Sequence, residues 1–90
     1  MGMLIIRSKF KDYATWRSMF DGRESKRAAA GLSNARVFRS VDDKNEVVVV
    51  FDTKDTKMAK DFAASVDLEE AMREAGVVDM PTIYFLESID

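Results

Sequence analysis

The apolar positions of this chain fall into two spacings, and their order predicts a small α+β domain. Met3-Leu4-Ile5-Ile6 is followed by Arg7-Ser8-Lys9-Phe10, a first strand whose opening half is apolar on both faces. Asp12 is placed to cap a helix, and Tyr13, Trp16 and Phe20 then follow at i, i+3 and i+7. Asp21-Gly22 interrupts that stripe. A continuous helix would set Arg23 and Arg27 on the Trp16/Phe20 face, so the reading is a break near Gly22 and a short helix over 23–30 stopped by Gly31.

A hairpin over Ala35–Asp52 comes next, with its turn at Asp42-Asp43-Lys44-Asn45. Arg36, Phe38 and Ser40 share one face of its first strand, and Ala35, Val37, Arg39 and Val41 the other. Its second strand, Val47-Val48-Val49-Val50-Phe51, has no polar alternation and calls for burial on both sides. Asp52 or Thr53 is expected to cap a second helix that buries Met58, Ala59, Phe62, Ala63 and Val66. A kink at Ser65–Asp67 precedes a capping box at Asp67 and Glu70, then a stripe of Leu68, Ala71, Met72 and Ala75 closed by Gly76. Pro81 opens a last strand over Thr82–Glu87, at its start or on an edge, because proline cannot donate to a ladder.

The order β-α-β-β-α-β is the ferredoxin-like arrangement: a four-stranded antiparallel sheet with helices on one face, in one domain spanning 1–90. The helices cover one side, yet Met3–Ile6, Val47–Phe51 and Ile83–Leu86 are apolar on both. The expected cover is the sheet of a second copy, a sheet-to-sheet homodimer.

Composition narrows the chemistry. The 90 residues contain no cysteine and no histidine, which removes disulfides, thiol nucleophiles, the commonest metal ligand and the commonest general base. Net charge is −2, which argues against nucleic acid or an anionic membrane as partner. RNA-binding domains share this strand order, but strands of Met3–Ile6 and Val47–Phe51 offer no aromatic stacking platform. No apolar run approaches the roughly 18 residues of a membrane span, and Arg7 and Lys9 end the first run too early for a signal peptide, so a cytoplasmic location is the default. Neither cofactor nor metal is called for. Asp42-Asp43 belongs to a turn and Glu69-Glu70 to a helix surface, and Asp42, Asp43 and Asp52 lack calcium-loop spacing.

The chain resembles small bacterial proteins of the dimeric α+β barrel superfamily, relatives of the antibiotic-biosynthesis monooxygenases. The resemblance rests on Asp12-Tyr13…Trp16, Phe20-Asp21, Ala29-Ala30-Gly31-Leu32, Phe38-Arg39, Asp42-Asp43…Asn45-Glu46-Val47, Phe62-Ala63-Ala64-Ser65, Ala71-Met72…Ala75-Gly76-Val77 and Tyr84-Phe85-Leu86. It implies two sheets packed face to face and a cleft between helices and sheet in each protomer. The superfamily includes cofactor-independent oxygenases, haem-degrading enzymes and isomerases. Haem-degrading relatives use an axial histidine, absent here. Oxygenase relatives use an asparagine on the first strand, where this chain carries Arg7 and Ser8. No catalytic set transfers residue by residue.

The candidate cleft is the wall of Tyr13, Trp16, Arg17 and Phe20, facing Phe38, Phe62 and Met72. Arg17, Arg27 or Arg36 would hold a carboxylate or enolate oxygen. The expected function is binding of a small apolar organic ligand, with a cofactor-independent monooxygenase or isomerase as its enzymatic form. The alternative is a structural or regulatory interaction module with a filled core.

Overall fold

The structure, a computed structural model, describes residues 2–90. Eight elements follow one another: β1 (Gly2–Lys9), α1 (Tyr13–Asp21), α2 (Glu24–Ala29), β2 (Leu32–Arg39), β3 (Glu46–Thr53), α3 (Thr56–Ala63), α4 (Val66–Glu74) and β4 (Thr82–Glu87). The strands form one antiparallel sheet in the order β2-β3-β1-β4, the ferredoxin-like α+β fold expected from the element order.

Both helical regions are broken, for local reasons. The Asp12 carboxylate accepts from Thr15 N–H at 2.9 Å and caps α1. α1 ends at Asp21, and α2 runs to Ala29 before Gly31 turns the chain at φ +80°, a backbone region that costs a side chain energy. The second region divides at Ser65, whose Oγ accepts from Leu68 N–H at 3.1 Å and starts α4 afresh. The expected Asp67–Glu70 capping box is therefore corrected: the cap lies two residues earlier, and Asp67 stands in the first helical turn. Likewise α3 is capped by Asp55, not by Asp52 or Thr53, because β3 extends through Thr53 and buries it against the helices. The restart at Ser65 also rotates Val66 outward, and Met58 lies on the exposed side of α3, so both leave the buried stripe.

The hairpin is longer than its sequence pattern. β2 begins at Leu32, and a bulge between Ser33 and Arg36, with Asn34 at φ 52°, absorbs the irregular start. Pro81 lies just ahead of the edge strand β4, where its missing N–H costs no ladder bond.

Register divides the two sheet faces. Leu4, Ile6, Val37, Val47, Val49, Phe51, Ile83 and Phe85 point toward the helices and join Phe10, Trp16, Leu32, Ala59 and Ala75 in the core. The opposite face carries the row Phe38–Val48–Arg7, then Arg36–Val50–Ile5–Tyr84, then Asp52–Met3–Leu86. No helix covers those rows: Phe38 is 56% exposed, Tyr84 55% and Leu86 45%. The valine run of β3 thus alternates faces, with Val47 and Val49 buried in the core and Val48 and Val50 on the open side.

Candidate functional site

The helix side of the sheet holds an apolar pocket between the helices and β1/β3. Its floor is Ile6, Ser8, Val49 and Phe51; its walls include Trp16, Met19, Phe20, Phe62, Leu68, Ala71 and Met72. The Tyr13/Trp16/Phe20 spacing turns Trp16 and Phe20 inward from α1 as a continuous stack. Phe10 and Trp16 lie 5.6 Å apart at 23°, Trp16 and Phe20 5.1 Å apart at 19°, and Phe20 and Phe51 6.3 Å apart at 27°. Each such pair contributes about 0.5–1.5 kcal/mol beyond area burial. The stack therefore makes one wall rigid, while Met19 and Met72 supply side chains that repack easily.

Only three polar side chains line the pocket: Ser8, Arg23 and Arg27. Ser8 sits at 4% exposure, and its hydroxyl has no hydrogen-bond partner among the described residues although no atom there is sealed off unsatisfied, so it opens onto the pocket. Arg23 donates through Nη2 to Asp67 Oδ2 at 2.8 Å, and Lys26 Nζ reaches the same carboxylate at 3.1 Å. These bonds tie the α1–α2 segment to α4 and hold the Asp67 carboxyl below the usual carboxylate range, the Arg23 hydrogen bond being the larger cause. Arg27 differs. Its guanidinium carbon lies 3.9 Å from the centre of the Phe20 ring and 5.8 Å from that of Phe51, and Nη1 donates to the Phe20 carbonyl at 2.6 Å. Among the described residues no carboxylate comes within ion-pair distance of it. Burial pushes its pKa down from the ordinary arginine value, with Glu24 and then Asp21 acting in the opposite direction.

The pocket's free interior is about 70 Å³ and it opens to solvent on one side. That is smaller than the roughly 150 Å³ dry cavity that admits a benzene ring. A single ring therefore seats fully only as the methionines shift, with the remainder of a ligand at the mouth.

Five sequence-predicted residues meet here: Trp16, Phe20, Arg27, Phe62 and Met72. Four do not. Arg36 and Phe38 lie on the open face, where Arg36 pairs with Asp52 at 2.8 Å, because the bulge fixes a register that sends the odd-numbered Val37 inward. Tyr13 packs on Phe10 and under Arg39, and Arg17 points outward to Asp21 at 3.1 Å. Asp42 and Asp43, in the β2–β3 turn, are held away from Asp52 by the length of β3. The sequence reading missed Ser8 and Arg23 as lining residues. Alternation from Ile6 points to Ser8, and the Arg23/Arg27 pair on the continued Trp16/Phe20 face was the signal for Arg23.

The whole fold has counterparts among solved structures. An antibiotic biosynthesis monooxygenase matches at 13% identity and a TM-score of 0.73, covering 100% of both chains. A Bordetella bronchiseptica protein of the same type matches at 15% identity and a TM-score of 0.79, over 98% of this chain and 96% of that one. The chain shares the α+β, ferredoxin-like fold of these structures. SnoaB of Streptomyces nogalater, a cofactor-independent oxygenase, matches at 14% identity and a TM-score of 0.73, over 99% and 93% of the two chains. No family model and no curated protein matches the sequence itself. Among the described residues, no helix is long and apolar enough to cross a membrane.

Proposed function

We propose that this protein is a homodimer that binds a small apolar organic molecule in the pocket between its helices and sheet. The observation that carries the reading is the open space beside Trp16 and Phe20, walled by apolar side chains and carrying only Ser8, Arg23 and Arg27 as polar points. A filled core would leave no such space.

The dimer is supported by the open sheet face. Phe38, Val48, Val50, Ile5, Tyr84, Met3 and Leu86 run across all four strands. The charges on that face are already matched within the chain: Arg7 with Glu46, Arg36 with Asp52, and Lys9 with Asp43 at 3.5 Å. Covering the face with a second copy leaves no lone charge desolvated, which is the usual obstacle to burying such residues. A stable interface needs roughly 800 Å² per partner.

The enzymatic form of this reading is a cofactor-independent oxygenase, as SnoaB among the fold's counterparts is, or an isomerase. The pocket lining holds no carboxylate and no histidine to serve as base. The substrate's own acidity would supply the carbanion, and the protein would orient it and stabilise charge.

Native mass spectrometry and ligand-observed NMR of the purified protein test the two parts. The expected species is twice the 10.2 kDa chain, and toluene, a neutral apolar probe, should give saturation-transfer NMR signals that a Met72→Trp variant loses. A monomer at micromolar concentration would overturn the dimer, and absence of toluene binding would overturn the pocket.

A further inference from the structure

We infer that the pocket selects an organic carboxylate, and that Arg27 is the residue that reads the anionic end. This rests on the small-molecule reading above and names the ligand class for the same site.

The cations that line the pocket are unequally matched. Arg23 and Arg27 both line the pocket, yet only one of them is electrically satisfied by the chain. Arg23 and Lys26 share Asp67. Arg27 has no anionic partner among the described residues and makes a single side-chain hydrogen bond, to a neutral carbonyl. A guanidinium carries five N–H donors in a planar fork, so most of its donor capacity is unspent. Its position is nonetheless well defined: the plane rests on Phe20 at 3.9 Å, with Phe51 beyond, and the Phe20 carbonyl holds one nitrogen. A half-buried cation kept in place by an aromatic face and a carbonyl loses hydration, and Glu24 and Asp21 stabilise its charge only from beyond ion-pair distance. Burial accordingly acts against its charge. A carboxylate supplied from outside offsets that cost through a bidentate, charge-assisted contact.

The rest of the pocket sets the body of the ligand. Next to Arg27 the lining is aromatic and aliphatic: Phe20, Phe51, Trp16 and Met72. With about 70 Å³ of interior space, a short chain fits inside directly and a slim ring enters as Met19 and Met72 shift, with the carboxylate at the mouth. Nucleotides and other polyanions do not suit a site with one uncompensated cation and an apolar floor.

Phenylacetate and phenylacetamide test the assignment, because they share a body and differ in charge. Binding is followed through the fluorescence of Trp16, the only tryptophan, in the full-length protein. Phenylacetate should bind about tenfold or more tightly than the amide, the range of a hydrogen bond to a charged group. Arg27→Met keeps an apolar stem over Phe20 but removes the charge, and should bring the two probes to within about twofold of each other, while Arg27→Lys retains part of the preference. Arg17→Gln, outside the pocket, should leave the preference unchanged. Should Arg27→Met fail to fold by circular dichroism, Arg27→Lys decides: a preference as large as in the parent means that charge alone is read and the bidentate assignment falls. Equal binding of both probes to the parent protein overturns the carboxylate assignment and leaves the pocket standing. Binding of neither overturns both. A preference that survives Arg27→Met assigns the anion to Arg23 and overturns the role of Arg27.

Discussion

Arg23 Nη2 lies 2.8 Å from Asp67 Oδ2, which ties a residue of the pocket lining to the first turn of α4. Arg23 sits in the break between α1 and α2, and Asp67 in the first turn of α4, 44 positions later. Lys26 doubles the contact from α2. The pair therefore couples the two helical regions beside the pocket. Asp67→Asn should loosen that coupling without removing any core side chain. Acrylamide should quench Trp16 more readily in the variant, and unchanged quenching would show that the pair does not hold the two helical regions together.

The same pair predicts an acid dependence. Asp12, Asp43 and Asp67 all have carboxyls held below the ordinary value. The largest causes are the Thr15 hydroxyl, the Asn45 N–H and the Arg23 guanidinium respectively. A depressed folded-state pKa gives stability that is complete above the unfolded value of about 3.9 and is lost as pH falls through the folded value. Urea midpoints should thus be flat from pH 7 to about 5 and fall below pH 4. Asp67→Asn should show a smaller fall over the same range.

Val49 and Val50 are neighbours in sequence and opposites in the fold. Val49 is 4% exposed beneath the helices, and Val50 lies on the open face between Arg36 and Ile5. Val49→Lys buries an unpaired charge and should abolish folding. Val50→Lys should leave the circular dichroism spectrum intact and shift the protein to monomer in light scattering. Unfolding by both, or by neither, would contradict the two-face arrangement.

Trp16 joins the core, the aromatic stack and the pocket wall. Trp16→Ala should cost about 3–5 kcal/mol in urea unfolding followed by circular dichroism, the range for emptying a large core aromatic. Trp16→Phe should cost less, because the stack with Phe10 and Phe20 is partly kept.

Two backbone positions are testable with little effect on the pocket. Gly31 at φ +80° would place an added Cβ 3.2 Å from the Lys54 Cβ, and Gly31→Ala should destabilise by about 1–2 kcal/mol. Ser65→Ala removes the α4 cap and should cost about 1 kcal/mol. Thermal midpoints would check both, and a neutral Ser65→Ala would mean that the kink, not the cap, starts α4.

Element order, the two helix breaks and the two-sided strands were legible from local chemistry. Strand and helix periods, Asp12, Gly31 and Gly76 each act within a few residues of where they stand, so composition along the chain suffices to place them. The likeness to the antibiotic-biosynthesis monooxygenases was readable at the level of fold for the same reason. Two site assignments needed more. Which of Val37 and Phe38 faces the helices depends on the bulge at Asn34, one residue of slip that reverses every side chain after it. Which arginine is left without a carboxylate depends on the partners found elsewhere. Arg36 is taken by Asp52, Arg17 by Asp21 and Arg23 by Asp67, while Arg27 is left to Phe20. By itself the sequence determined the elements and the excess of apolar strand surface over helical cover. Tertiary structure alone decided the register and the pairing of charges, because both are set by residues far apart in the chain that meet only when the sheet closes.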